Sequence, residues 1–148
     1  MDTSAFLNMY QELLDRETNV VASLANSAAY LYTNLPDINW AGFYLKHGDE
    51  LLLGPFCGKP AVTRIAFGNG VCGTAWKENK TIVVENVHCF AGHIACDCAS
   101  NSEIVVPIQK DNAFYGVLDI DSPDLGRFKE EDKTLLEEFV RIFEKHIN

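Results

Sequence analysis

Apolar residues recur at helical spacing in two stretches near the N-terminus and in one at the C-terminus. The first helix is predicted from Thr3 to Arg16, with Thr3 or Ser4 as its N-cap, and the second from Asn19 to Asn34. The third, about Lys129 to Ile147, has an apolar stripe along one side. An amphipathic helix needs a surface to pack on, so these helices are expected to cover one face of a sheet.

Between these helices the pattern changes to the alternation that is typical of strands. Strands are predicted, in chain order, over Ile38–Lys46, Leu51–Phe56, Val62–Phe67, Thr81–Val84, Glu103–Gln109 and Ala113–Asp121. A short helix, Val71–Glu78, follows a Gly-Asn-Gly turn, and the last two strands form a hairpin. The sequence therefore predicts one α+β domain, residues 1–148, with a central antiparallel sheet and the N- and C-terminal helices packed on one side.

The period of two within a strand also assigns side chains to faces. It places Trp40 and Tyr44 on one face of their strand and Ala41 and Phe43 on the other. In the last strand it places two acidic side chains on a common face, because Asp119 and Asp121 are two residues apart.

Charge and composition narrow the classes of function. The chain has 148 residues and a formal net charge of −9, which argues against nucleic acids and anionic membrane surfaces as partners. The N-terminal residues lack the basic start and apolar run of a signal peptide, and no apolar run is long enough to span a bilayer, so a cytoplasmic location is expected. Five cysteines, an odd number, favour redox chemistry or metal binding over a closed set of disulfides.

Three of these cysteines lie in one loop-like stretch, Val87 to Glu103, between two predicted strands. Cys96 there is either a nucleophile, attacking as a thiolate, or a small apolar core residue. Zinc is an alternative for this stretch, which offers five ligands: His88, Cys89, His93, Cys96 and Cys98. Their spacings lack the paired C-x2-C motifs of structural zinc sites, so thiol chemistry is the better interpretation.

Other residues could complete a site around such a thiol. Cys72 lies at the start of the short helix, where the positive end of the helix lowers the pKa of a thiol, whereas Cys57 is interpreted as structural. The carboxylates of Glu103, Asp119 and Asp121 could hold an ammonium group and keep a proton available for transfer. The alternative for these acids is an exposed strand face near a turn. Trp40 and Tyr44 are either core residues or the walls of a pocket for an apolar group.

Five strings in the chain resemble a known enzyme family. They are Asn39-Trp40-Ala41-Gly42-Phe43-Tyr44, Gly58-Lys59-Pro60-Ala61, Gly70-Val71-Cys72-Gly73-Thr74-Ala75, Gly92-His93-Ile94-Ala95-Cys96-Asp97 and Ser100-Asn101-Ser102-Glu103-Ile104-Val105. In this order they resemble the free methionine-(R)-sulfoxide reductases, which are stand-alone enzymes of GAF fold. The resemblance runs from about Leu24 to the C-terminus, and its last two strings are specific to this family.

The resemblance implies a substrate, free methionine (R)-sulfoxide, and roles for individual residues. Cys96 takes the position of the catalytic nucleophile and Cys72 that of a resolving cysteine. Glu103, Asp119 and Asp121 fall at acidic positions that bind the substrate and assist protonation of its oxygen, and Trp40 and Tyr44 at pocket aromatics. It also implies recycling by thioredoxin or a similar dithiol, no bound metal or organic cofactor, and a homodimer. The preference for the R epimer rests on the resemblance alone.

The chain departs from the family pattern at one position. Many members carry a cysteine directly after Gly-Lys-Pro-Ala, and here that position is Val62. Either Cys72 or Cys98 must then resolve the oxidised nucleophile. Two alternatives to a reductase remain at this point, namely a GAF module that binds a small ligand without catalysis and a zinc-stabilised domain.

Overall fold

A computed structural model describes residues 1–90 and 100–148 of the chain. Its elements are α1 (Thr3–Leu14), α2 (Val20–Asn34), β1 (Trp40–His47), β2 (Glu50–Gly58), β3 (Arg64–Ala66), α3 (Gly70–Glu78), β4 (Ile82–Val84), a 3-10 turn (Val87–Cys89), β5 (Ser102–Lys110), β6 (Ala113–Ser122) and α4 (Glu130–Ile147). Segment 91–99 lies outside the described residues, and with it lie Cys96, Cys98 and His93. Among the described residues, no helix has the length and apolar character to cross a membrane.

The six strands form one antiparallel sheet in the order β3-β2-β1-β6-β5-β4. The sheet is centred on the pair β1–β6, whose strands are far apart in sequence, and each of its two outer strands is only three residues long. The predicted α+β architecture with a central antiparallel sheet is confirmed.

Helices α1, α2 and α4 pack together on one face of the sheet, as the apolar periodicity predicts. Their buried residues form one core with Ala41 and Phe43 of β1. At its centre the rings of Tyr10 and Phe139 stack at 3.7 Å between centroids, and the Tyr10 hydroxyl pairs with Ser27 Oγ at 2.7 Å. Each such ring contributes about 1.5–3 kcal/mol through burial, so this core stabilises the side of the sheet away from the acidic residues.

Two local predictions were wrong. The N-cap of α1 is Asp2, not Thr3 or Ser4, because the Asp2 carboxylate accepts the amide of Ala5 at 3.1 Å from an extended backbone position. The third strand is Arg64–Ala66 and does not begin at Val62. The carbonyl of Val62 accepts a hydrogen bond from a tyrosine hydroxyl and so is directed out of the ladder.

The β5–β6 hairpin has the register that the alternation implies. Its two turn residues, Asp111 and Asn112, have φ values of 53° and 62°, in the left-handed region that a two-residue hairpin turn requires. Farther from the turn, Val105 pairs with Asp119 and Glu103 pairs with Asp121. The hairpin therefore fixes which acidic residues of the two strands are neighbours.

Candidate functional site

The sheet face opposite α1, α2 and α4 carries the acidic and aromatic residues that the sequence predicts for a site. Trp40 of β1 pairs with Asp121 of β6, which in turn pairs with Glu103 of β5. Directly opposite residues of antiparallel strands project to the same face, so these side chains and that of Asp119 share it. Helix α3 packs on this face, and Cys72 belongs to its buried core together with Trp40.

The acidic side chains are buried. The exposed fractions are 6% for Glu103, 0% for Asp119 and 3% for Asp121. The alternative interpretation of an exposed strand face near a turn is therefore wrong. Charged side chains are seldom buried to this extent without a specific partner, so the arrangement makes this face the candidate site.

Helix α3 brings a thiol to these acids. The Cys72 Sγ and one carboxylate oxygen from each of Glu103 and Asp119 all lie within 4.8 Å of one another. Cys72 itself is 4% exposed. The hairpin places Glu103 opposite Asp121, as the sequence predicts, whereas the position of Cys72 beside Glu103 and Asp119 was not predicted. Within the described part of the chain, these three residues are also the set of donors that could hold a metal ion.

Asp119 has the most unusual environment of the acids. Neither of its carboxylate oxygens has a hydrogen-bond partner of normal geometry among residues 1–90 and 100–148. Burial raises the pKa of Asp119 above its ordinary value, and the neighbouring side chains of Glu103 and Cys72 lower it only in part. The site can therefore hold a proton on a carboxyl group, and it favours a cation that replaces water around the carboxylate.

The aromatic residues of β1 line the same face. The Trp40 ring stacks on Phe56 at 5.2 Å and on Tyr44 at 6.0 Å between centroids. Trp40 Nε1 donates to the carbonyl of Lys59 at 3.0 Å, and the Tyr44 hydroxyl donates to that of Val62 at 2.8 Å. Both rings are fully buried, so they are core residues that also fasten the β2–β3 connection. That they line a pocket remains a prediction.

Gly42 makes room for this aromatic stack, a role that the strand pattern does not predict. A Cβ atom at Gly42 would lie 2.8 Å from Trp40 Cη2 and 2.9 Å from Phe56 Cα. We expect Gly42→Ala to lower the free energy of unfolding by about 1–3 kcal/mol, because the ring and the strand must both shift. Urea titration followed by tryptophan fluorescence measures this loss, and an unchanged midpoint would contradict it. Gly48→Asn is the control, because a Cβ atom there meets nothing within 4 Å and asparagine tolerates its φ of 67°.

Hydrogen bonds join Val87 and Asn101, which lie on the two sides of segment 91–99, to each other and to the end of β6. The Asn101 amide donates to the carbonyl of Ser122 at 2.7 Å, and the Asn101 carbonyl accepts the amide of Val87 at 2.8 Å. The Asn101 side chain also donates to the carbonyl of Pro123 at 2.6 Å. These bonds explain why Asn101 stands in the run of small polar residues before β5. Cys96 and Cys98 lie between these anchors in sequence and outside the described residues.

The other two described cysteines, Cys57 and Cys89, do not belong to the cluster with the acids. Cys57 is half-buried and packs against the helix-covered core on the other face, in line with its structural interpretation. Cys89 is exposed at the end of the 3-10 turn, and the neighbouring His88 Nε2 pairs with Asn101 Oδ1 at 3.2 Å. Of the predicted zinc ligands only His88 and Cys89 are described, so that alternative stays untested.

Comparison with known proteins gives relatives along nearly the whole chain. The GAF domain family matches residues 10–147. The free methionine-R-sulfoxide reductase of Escherichia coli is 54% identical over 136 residues, which are 92% of this chain and 82% of the relative. The fRMsr structure of Staphylococcus aureus in its reduced form has a TM-score of 0.96 at 50% identity and covers 99% of this chain and 96% of its own.

A second solved structure contains a ligand. It is the free methionine-R-sulfoxide reductase of Neisseria meningitidis in complex with its substrate, with a TM-score of 0.94 and 45% identity over 98% of this chain and 87% of that one. Identity of this level over almost the full length goes well beyond a shared fold. The chain belongs to the free methionine-R-sulfoxide reductase family of GAF domain proteins.

Proposed function

We propose that this protein reduces free methionine (R)-sulfoxide to methionine with cysteine thiols. The observation that carries the proposal is the buried cluster of Cys72, Glu103 and Asp119. The chain that contains it is 54% identical to the free methionine-R-sulfoxide reductase of Escherichia coli. A reductase that acts through a thiol needs a nucleophilic sulfur and an acid that protonates the departing oxygen. Burial raises the pKa of Asp119 above its ordinary value, which favours a protonated carboxyl group at this position.

The charges of the site suit one end of the substrate. Free methionine sulfoxide carries an ammonium group, and Glu103, Asp119 and Asp121 offer three buried carboxyl groups on neighbouring strands. An ammonium group could donate its own N–H groups to the oxygens of Asp119, which have no hydrogen-bond partner of normal geometry among the described residues, and so remove the cost of burying them. The aromatic rings of Trp40 and Tyr44 offer an apolar surface for the methyl-sulfur end. This arrangement favours the free amino acid, because a residue within a peptide has no ammonium group.

The proposed reaction takes place between the cysteine thiols and the sulfur atom of the substrate. The Cys96 thiolate attacks the sulfoxide sulfur while a carboxyl group of the cluster protonates the oxygen, which leaves methionine and a sulfenic acid on Cys96. Cys72 attacks this sulfenic acid, so that a disulfide forms and water leaves. Thioredoxin or a similar dithiol reduces the disulfide by exchange. Cys72 suits the resolving step because it already lies beside the acids, whereas Val62 has no thiol to offer.

A single-turnover reaction tests the proposal. Fully reduced protein, without any recycling dithiol, is mixed with free methionine (R)-sulfoxide, and the methionine formed is measured together with the disulfide. We expect about one methionine per chain and a Cys96–Cys72 link in the peptide map, because only one pair of thiols is consumed. A Cys96–Cys98 link would instead assign the resolving step to Cys98. Binding without any methionine formed would overturn the reductase and indicate a ligand-binding GAF module.

The same reaction, with a dithiol recycling system added, tests which electron donor reduces the disulfide. We expect thioredoxin with its reductase to convert the single turnover into continuous turnover, since a protein disulfide is the product to be reduced. The family also suggests a homodimer, which stays a prediction to be measured by sedimentation.

A further inference from the structure

The side chains around Asp119 also form a donor set for a metal ion. The Cys72 Sγ and one oxygen from each of Glu103 and Asp119 lie within 4.8 Å of one another. A thiolate with carboxylate oxygens suits a borderline ion such as Zn²⁺, whereas Mg²⁺ and Ca²⁺ prefer oxygen ligands alone. We propose that the reduced protein binds one Zn²⁺ at Cys72, Glu103 and Asp119, and that the bound ion excludes the substrate from this site.

The environment of Asp119 is a second reason to expect a metal ion here, and it is independent of which residues form the cluster. Asp119 is 0% exposed, and neither of its oxygens has a hydrogen-bond partner of normal geometry among residues 1–90 and 100–148. Such a carboxylate is costly unless a cation or a hydrogen-bond donor reaches it. A zinc ion would meet this requirement whenever the substrate's ammonium group is absent.

The positions of the three donors fit a small ion. Cys72 is on α3, Glu103 on β5 and Asp119 on β6, so each is held by regular structure. Zinc binds sulfur at about 2.3 Å and oxygen at about 2.0–2.2 Å, and small side-chain rotations bring donors that lie within 4.8 Å onto one ion. Three protein ligands leave a fourth position for water, as in zinc sites that exchange ligands.

Zinc binding would have two consequences, both of which rest on the proposed function. The metal replaces the Cys72 thiol proton, so Cys72 could not form a disulfide while the ion is bound. The ion would also occupy the carboxylates that hold the substrate's ammonium group. In the oxidised protein Cys72 has no thiolate to give, so zinc would bind only the reduced form. Zinc would therefore act as a reversible inhibitor that competes with methionine sulfoxide.

Direct binding measurements test the site without reference to activity. Reduced protein competes with a chromophoric zinc indicator under anaerobic conditions, with ZnCl₂ as the probe. We expect one zinc per chain, and affinity at least about tenfold weaker in Cys72→Ser and in Asp119→Asn, each of which removes a ligand. The matched controls are Cys57→Ser, on the other face of the sheet, and Cys89→Ser, at the exposed 3-10 turn, and both should bind as the wild type does.

A protection experiment on the wild-type protein avoids any effect of substitution on folding. Cys72, which is 4% exposed, is expected to react slowly with N-ethylmaleimide, and the modified peptide is measured by mass spectrometry. We expect ZnCl₂ to slow this reaction and MgCl₂ to leave it unchanged. Zinc that binds Cys72→Ser as tightly as wild type, or that is lost only in Cys89→Ser, would overturn the site. Protection of Cys72 in a protein that forms no methionine would support the zinc site and overturn only the reductase.

Discussion

Replacing Cys96 by serine is expected to lower kcat/KM for free methionine (R)-sulfoxide by at least about 10³-fold. A serine hydroxyl stays protonated at neutral pH and is a poor nucleophile toward sulfur, so the first covalent step is lost. The loss should appear in kcat, because the groups proposed to bind the substrate are untouched. Methionine formation, followed by amino-acid analysis with thioredoxin as reductant, measures the effect.

Cys57→Ser is the matched control for this substitution. Cys57 is half-buried on β2 and packs against the core on the face away from the acids. Its replacement should leave kcat/KM within about twofold of wild type, apart from a small loss of stability. Equal activity of the two variants would remove Cys96 from the reaction, and with it the proposed mechanism.

Asp119→Asn is expected to weaken the reaction and to stabilise the fold. The amide cannot donate a proton to the sulfoxide oxygen or balance an ammonium charge, so kcat/KM should fall by about 10²–10⁴-fold. It also replaces a carboxylate whose oxygens have no hydrogen-bond partner among the described residues. The unliganded variant should therefore unfold at a higher temperature than the wild type near neutral pH.

The stability gain should depend on pH in a definite direction. Burial raises the pKa of Asp119 in the folded protein, so the unfolded chain loses this proton at lower pH than the folded one. The cost to stability is absent well below the unfolded pKa of about 3.9, grows as pH rises above it, and is complete above the folded pKa. The melting-temperature advantage of Asp119→Asn should thus be larger at pH 8 than at pH 4.

Differential scanning calorimetry at the two pH values checks this directly. Each kcal/mol of cost that is removed should raise the melting temperature by about 2–4 °C for a chain of this size. Asp49→Asn makes the same chemical change at an exposed position in the β1–β2 turn and serves as the control. A difference between wild type and Asp119→Asn that is equal at pH 4 and pH 8 would show that the Asp119 carboxyl carries no such cost.

Most of the fold was predictable because each element buries one face. The alternation along β1 placed Trp40 and Ala41 on opposite faces, and the structure assigns them to two separate cores. The start of β3 was not predictable in this way. It depends on the bond from the Tyr44 hydroxyl to the carbonyl of Val62, a contact between residues 18 apart that no periodicity reveals. The Asp2 cap was missed because a carboxylate competes with hydroxyl groups one and two residues later.

The candidate site was likewise predictable in part. Period two placed Asp119 and Asp121 on one face, and the hairpin brought Glu103 beside them. That Asp119 is the acid with unpaired oxygens depends on how α3 packs, because Cys72 and Glu103 close around it. Such tertiary packing leaves no local signal in the sequence. The roles of Cys96 and Cys98, in segment 91–99, remain predictions.

The pairing of β1 with β6 at the centre of the sheet has a consequence for synthesis of the chain. Trp40 lies opposite Asp121, so most of the chain must leave the ribosome before this pair can form. Closing so long a loop is slow relative to local contacts, and until then Cys57 and Cys72 have no complete cores to shield them. A nascent chain would thus expose the Cys72 thiol, which the finished protein buries, to oxidants, so the rate of translation should influence how much of the protein matures with this thiol intact.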